Sequence, residues 1–159
     1  MTDAAPTVRP ATATDVPELV PLNAALFRED AGSRDPYADL DWPRRGGEQY
    51  FHEAVADGER SAVWVAEVEG RAVGYLLGRL QAPTDVRPVA SASLESLYIA
   101  ADHRGAGLGE ALVDQFIAWA RRQGADRATV SAYADNEGAN RFYRRLGFGA
   151  RSTMYDRAL

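Results

Sequence analysis

From His103 to Gly109 the chain reads HRGAGLG, between a strand-like run, SLYIA, and a helix-like run, EALVDQFIAWA. Gly105, Gly107 and Gly109 alternate with Ala106 and Leu108 behind Arg104. A strand that ends in a glycine-rich turn and opens a helix leaves several backbone N–H groups without partners, with the helix dipole behind them. The chemistry of such a place is anion binding. Glycine permits positive φ and lets a phosphate oxygen reach the backbone without meeting a Cβ. Arg104 adds a charged fork.

Two phosphate motifs do not fit. A dinucleotide fingerprint needs glycine where the chain has Glu110, and a P-loop needs lysine, whereas all 18 basic residues are arginine. The absence of lysine also excludes Schiff-base chemistry on a lysine. The absence of cysteine excludes disulfides, thiolate zinc sites and a cysteine nucleophile. The two histidines, His52 and His103, are too few for a histidine-based metal site without carboxylate help, and no metal is expected.

Those residues need elements to hold them. TVRPA reads as a first strand and TDVPELVPLNAALFRED as a helix, with Pro21 predicting a kink or a late start. AGSRDPYADLDWPRRGG reads as a loop and GEQYFHEAVADG as a short helix stopped by Gly58. SAVWVAEVEGRAVGYLLGRLQA is a hairpin turning at Glu69-Gly70, and VASASLESLYIA is a strand. GLGEALVDQFIAWARRQG is a helix whose buried stripe is Leu108, Ala111, Leu112, Gln115, Phe116 and Trp119. DRATVSAYA is a strand, NEGANRFYRRLG a helix and ARSTMYDRAL a last strand. The order β-α-α-β-β-β-α-β-α-β predicts one α/β domain over residues 1–159, an α+β type mixed sheet with an antiparallel front and a βαβ-like back.

Charge is uneven. Residues 1–99 hold 16 acids against 9 arginines and residues 100–159 hold 7 against 9, within a net charge of −5. An acidic front half argues against a nucleic-acid partner, and a mildly basic back half suits a small polyanion. No apolar run is long enough to span a bilayer, and MTDAAPTVRP lacks the basic and apolar regions of a secretory leader. The expectation is a soluble, cytoplasmic protein without a membrane partner.

LESLYIAADHRGAGLGEALV resembles the acetyl-coenzyme A (acetyl-CoA) binding segment of the Gcn5-related N-acetyltransferase (GNAT) superfamily. Arg104, Gly107 and Gly109 meet its Q/R-x-x-G-x-G/A signature. NEGANRFYRRLGF resembles the second cofactor segment of that family, and the element order is similar over nearly the whole chain. The resemblance implies that Arg104, Gly105, Ala106, Gly107, Leu108 and Gly109 receive the pyrophosphate on backbone N–H groups. It implies that Leu97, Tyr98 and Ile99 pair with the pantetheine arm where the sheet splays, and that an N–H near Ile99 polarises the thioester carbonyl. Tyr143 corresponds to the tyrosine that protonates the departing thiolate, and otherwise is a core aromatic beside Phe142 and Leu146. Asn136 corresponds to an asparagine near the pantetheine and also suits an N-cap.

The resemblance makes Glu95 the candidate general base, the only acid between Asp85 and Asp102, with burial expected to raise its pKa. Its other reading is a lip carboxylate that attracts a cation. Residues 29–59 carry nine acids and three arginines and correspond to the acceptor lip. There Asp30, Asp35, Asp39 and Asp41, interleaved with Tyr37 and Trp42, suit a cationic amine with apolar surface. The function implied is acetyl transfer from acetyl-CoA to a primary amine of a small cationic acceptor, by direct attack in a ternary complex. Alternatives are a longer acyl donor, an alcohol or protein N-terminal acceptor, and a CoA-binding regulatory module without turnover. A homodimer stays open.

Overall fold

The computed structural model of the protein describes residues 4–159; the first three residues of the N-terminal stretch lie outside it. β1 (Thr7–Pro10) leads through a short 3₁₀ turn into α1 (Val16–Leu26). Pro17 sits in the first turn of α1, and the helix continues through Pro21 to Leu26. A π-turn over Phe27–Ala31 and a single helical turn, α2 (Gly32–Arg34), follow. The next helix, α3 (Trp42–Asp57), starts well before the expected GEQYF. Pro43 suits its first turn because the N–H it lacks is one the helix leaves unpaired there. Gly58, at φ +61, ends it in the left-handed region.

β2 (Ser61–Val68) and β3 (Arg71–Gln81) form the expected hairpin, with Glu69 at φ 51 and Gly70 at φ 75 in its turn. β4 (Ser91–Ile99), α4 (Leu108–Arg122), β5 (Arg127–Val130) and α5 (Glu137–Arg145) complete the order. The sheet runs β1-β2-β3-β4-β5, antiparallel except for the parallel β4–β5 pair. The expected last strand is not formed: Gly149–Leu159 has no regular structure and every residue in it is exposed. With no partner along its backbone, a strand-forming sequence has nothing to pair with.

The sheet separates two cores. On one face Leu108, Leu112, Val113, Phe116 and Trp119 of α4 pack on Trp64, Leu76 and Leu94. Val113 and Ala120 complete the buried stripe, and Gln115, expected in it, is exposed. On the other face Val16 and Leu19 of α1 and Phe51 and Ala54 of α3 cover Val65, Tyr75 and Leu77. Burial of each such large apolar side chain is worth about 1.5–3 kcal/mol. Together the two layers hold β3 and β4 rigidly as the floor for what lies above.

Two irregularities of β4 coincide. Ser96 pairs with Leu77 and Leu94 with Gly78, so Glu95 is an extra residue without a partner on β3, a β-bulge. The β4–β5 ladder runs from Ser91↔Arg127 to Leu94↔Val130 and stops there. A bulge sharpens strand twist, so β4 turns away from β5 where Glu95 intervenes, and the edge of Leu97, Tyr98 and Ile99 is left open.

Candidate active site

The parting of β4 and β5 opens a cleft of about 910 Å³. Its walls are Glu95–Ile99 of β4, the HRGAGLG turn, Val130–Ala132 past the end of β5, and Asn136, Ala139, Phe142 and Tyr143 of α5. Leu26, Glu29, Asp30 and Arg34, from the end of α1 to α2, also line it.

At one end is the glycine turn. Gly105 and Gly107 stand at φ +81 and +82, and a Cβ on either would meet no atom of the chain within 4 Å. They are glycine for conformation, and the space beside them is clear. Gly109 has a different reason, since its Cβ would lie 3.2 Å from Cζ of Phe142. The third glycine is a contact between α4 and α5. Ala111 is the first residue of α4 to donate backward, to the Gly107 carbonyl at 3.0 Å, and among the described residues the N–H groups of Gly105 to Glu110 have no partner in the chain. These unspent donors at the positive end of a helix fit a pyrophosphate. Among the described residues no group of three or more histidine or acidic side chains is placed to hold a metal ion.

Arg104 is not the free fork that the sequence suggests. Its Nε donates to the Ile99 carbonyl at 2.8 Å and its Nη2 to Glu29 Oε2 at 2.6 Å, while its guanidinium lies over the Tyr98 ring. Tyr98 donates its hydroxyl to the other Glu29 oxygen at 2.8 Å. The Arg104 guanidinium holds the Glu29 carboxyl below the usual carboxylate range. Glu29 thus places a negative charge beside the turn, which only the tertiary structure discloses.

Tyr143 is half-buried, edge-on to Phe142 and Phe148, and among the described residues its hydroxyl has no partner in the chain. Burial, and then the nearby Asp30 charge, push its phenol up to about 12. Such a hydroxyl keeps its proton at neutral pH and can donate a hydrogen bond to negative charge that develops beside it. Asn136 caps α5, its Oδ1 accepting from Ala139 N at 3.1 Å, and its Nδ2 donates to Asp30 Oδ1 at 2.9 Å on the cleft wall.

Glu95 faces the cleft from the bulge but is not buried as expected. Its side chain is 33% exposed, and Oε2 accepts from Arg79 Nε at 3.0 Å and from the Tyr50 hydroxyl at 3.1 Å. The bulge explains the exposure, because an unpaired residue is lifted off the sheet. Arg79 and Tyr50 carried no motif and were not foreseen. Tyr50 joins Glu95 to an aromatic wall: Trp42 lies edge-on to Tyr50 at 5.3 Å and stacked on Phe27 at 5.9 Å.

The acidic segment divides. Asp30 lies at the cleft, held by Arg34 as well as Asn136, whereas Trp42, packed against Phe27 and Tyr50, stands outside the cleft lining. Tyr37 is 76% exposed and stands outside the cleft lining, as does Asp39. Asp39 is paired with Arg45, and Asp41 with both Arg44 and Arg45. Those carboxylates are neutralised at the start of α3.

This geometry agrees with what the chain resembles. The model of the acetyltransferase (GNAT) family matches residues 24–148. The chain belongs to the GNAT acetyltransferase family. An N-acetyltransferase of Methanocaldococcus jannaschii is 25% identical over 142 residues, which are 89% of this chain and 60% of that relative. The chain therefore spans about three-fifths of the length of that relative. An aminoglycoside N(6')-acetyltransferase of Stenotrophomonas maltophilia is 26% identical, over 93% of this chain and 89% of the other. Among solved structures, a GNAT-like fold is shared with a Bacillus halodurans protein at a TM-score of 0.76 and 22% identity, covering 96% of this chain and 99% of that one. An aminoglycoside N-acetyltransferase solved in complex with CoA superposes at a TM-score of 0.75 and 16% identity, covering 98% and 96%. In this GNAT chain the glycine turn and α5 both line one cleft.

Proposed function

We propose that this chain transfers the acetyl group of acetyl-CoA to a primary amine of a small cationic acceptor, by direct attack in a ternary complex. The observation that carries the reading is the open edge of β4 past Leu94, leading at one end to the unpartnered N–H groups before α4 and flanked at the other by Glu95 and Tyr143. A chain of amides and a pyrophosphate match an open strand edge that runs into a helix N-terminus.

The residues divide the work. The turn from Gly105 to Glu110 binds the pyrophosphate. Leu97 to Ile99 offer main-chain groups to the pantetheine, and an N–H of that edge polarises the thioester carbonyl. The neutral amine forms a C–N bond at that carbonyl as the C–S bond breaks. Tyr143 gives its proton to the leaving thiolate, and the proton lost by the amine passes to Glu95, directly or through water. Arg79 and Tyr50 hold the Glu95 carboxylate in place. Most of the gain comes from positioning and from the polarised carbonyl.

Support for a cationic acceptor comes from three carboxylates that line the cleft, Glu95, Glu29 and Asp30, each of which a cationic amine would reach by competing with an arginine partner, and from the Tyr50 and Trp42 rings behind Glu95. Two aminoglycoside N-acetyltransferases among the similar proteins point the same way, because aminoglycosides are polycationic amines. The test is release of free CoA from acetyl-CoA across a panel of aminoglycosides, polyamines, amino acids and peptides. Turnover with a cationic small amine is expected. CoA binding without turnover on any amine would leave a regulatory module, and turnover only with alcohols or longer acyl donors would overturn the acetyl-to-amine reading.

A further inference from the structure

We infer that Glu95 and Arg79 together receive a zwitterionic end of the acceptor, the reacting amine at Glu95 and a carboxylate a few bonds away at Arg79. The inference rests on the acetyl-transfer reading and narrows its acceptor to small amino acids. One with a basic side chain meets the cationic expectation as well.

Glu95 is bonded through one oxygen only. Arg79 Nε at 3.0 Å and the Tyr50 hydroxyl at 3.1 Å both donate to Oε2, and among the described residues Oε1 has no partner in the chain. Arg79 is likewise half spent: its Nε is bonded, and among the described residues neither Nη has a partner. Arginines that serve the fold behave differently. Arg9 puts all three of its nitrogens on Asp15 and Glu67, and Arg44 grips Asp41 with two. Nor does Arg79 swing freely. Its guanidinium lies over the Tyr50 ring, Cζ 5.1 Å from the centroid, with the side chain 35% exposed. The outcome is a free carboxylate oxygen beside a fixed guanidinium with a free edge.

Glu95 lines the cleft and Arg79 does not, so the pair marks the inside of the cleft and its rim. An acceptor amine at Oε1 is inside, and whatever the Arg79 fork holds stays at the rim. A plain cation at Oε1 faces the Arg79 guanidinium at close range, and like charges so near repel. A carboxylate on the same acceptor removes that conflict. It takes the two free Nη atoms in the planar fork geometry that arginine and carboxylate share. Arg79 also favours the reactive form of the amine, because a positive neighbour disfavours a second positive charge. The bonds made and broken stay those of acetyl transfer. N–C forms, C–S breaks, the amine proton passes to Glu95 Oε1, and the thiolate takes one from Tyr143. Glu29 and Asp30, on the same cleft, remain for a basic side chain.

The test compares acceptors that differ only in the carboxylate, each with acetyl-CoA and the full chain: ornithine with putrescine, lysine with cadaverine, phenylalanine with phenethylamine. In the pair that turns over best, the amino acid should have the higher kcat/KM by about ten- to a hundred-fold, with the acetyl group on its α-nitrogen. Arg79→Gln should raise KM for the amino acid and lower it for the decarboxylated amine, because the first loses a partner and the second a like charge. A purely structural role for Arg79 moves both in the same direction. Arg79→Lys, which keeps the charge without the fork, should recover only part of the preference. Equal or faster turnover of the decarboxylated members, acetylation of the side-chain amine, or parallel KM shifts in Arg79→Gln would overturn the inference and leave acetyl transfer standing. No turnover on any amine would overturn the acetyl-transfer reading itself. Calorimetry of ornithine and putrescine on the CoA-loaded protein then decides the zwitterion site, and equal or absent binding would overturn it.

Discussion

Glu29 accepts a 2.6 Å hydrogen bond from Arg104, so the guanidinium next to the glycine turn is neutralised by a carboxylate delivered from the π-turn after α1. An anion arriving at the turn meets the backbone N–H groups together with this carboxylate. Glu29→Gln should therefore tighten CoA binding. A partly exposed pair is worth about 0.2–1 kcal/mol, which corresponds to roughly a one-and-a-half- to five-fold change in Kd. Calorimetry with CoA checks it; weaker binding would mean that Glu29 mainly orders Arg104 for the ligand.

Gly107 and Gly109 should separate by experiment. Gly107→Ala at φ +82 strains the turn by about 1–2 kcal/mol and puts a Cβ into space that is otherwise clear. Loss of CoA affinity should exceed loss of stability. Gly109→Ala presses on Phe142, so stability should fall by about 1–3 kcal/mol, and Phe142→Leu should restore part of it. Thermal melts beside CoA titrations distinguish the two patterns.

Tyr143→Phe keeps the ring and its contacts with Phe142 and Phe148 and removes only the hydroxyl, which has no partner in the described chain. Melting temperature should barely change, and kcat should fall by about 10²–10⁴, the usual worth of a general acid. With the phenol pushed up to about 12, loss of this proton should not limit the wild-type rate until the pH approaches that value. Full activity in the variant would leave Tyr143 a packing residue.

Glu95→Gln keeps the shape of the side chain and its contact with Tyr50 while removing the charge that faces Arg79. If Glu95 takes the proton of the amine, kcat should drop with CoA affinity unchanged; a change in acceptor KM alone would make it an attracting carboxylate. By contrast, reversing Asp39 and Asp41, already paired with Arg44 and Arg45, should alter KM little. Steady-state kinetics at two ionic strengths distinguish these cases.

Stability should fall in alkali through Tyr75. This tyrosine is fully buried, its hydroxyl accepts from Asn23 at 2.8 Å, and burial pushes it from 10.0 up to about 12. Below pH 10 both folded and unfolded chains keep the proton, and the stability is complete. Between 10 and about 12 the unfolded chain ionises first, so stability declines by about 2–3 kcal/mol. Urea melts from pH 8 to 12 should show the decline, and Tyr75→Phe should reduce it.

The sequence by itself determined the parts that depend on near neighbours along the chain. The glycine turn before α4, the Glu69-Gly70 hairpin, the Asn136 cap and the aromatic face of α5 are written within spans of a few residues, because φ limits, capping and helical period are local constraints. Tertiary structure alone decided what rests on contacts between distant segments. Glu29 reaches Arg104 across 75 positions, Arg79 and Tyr50 converge on Glu95 from β3 and α3, and Asp30 joins Asn136 across 106 positions. The bulge that lifts Glu95 out of burial comes from the pairing register of β3 and β4, which no single strand encodes. The sequence of the last segment is that of a strand, but a strand exists only where another backbone accepts its hydrogen bonds, and this chain folded alone offers Gly149–Leu159 none.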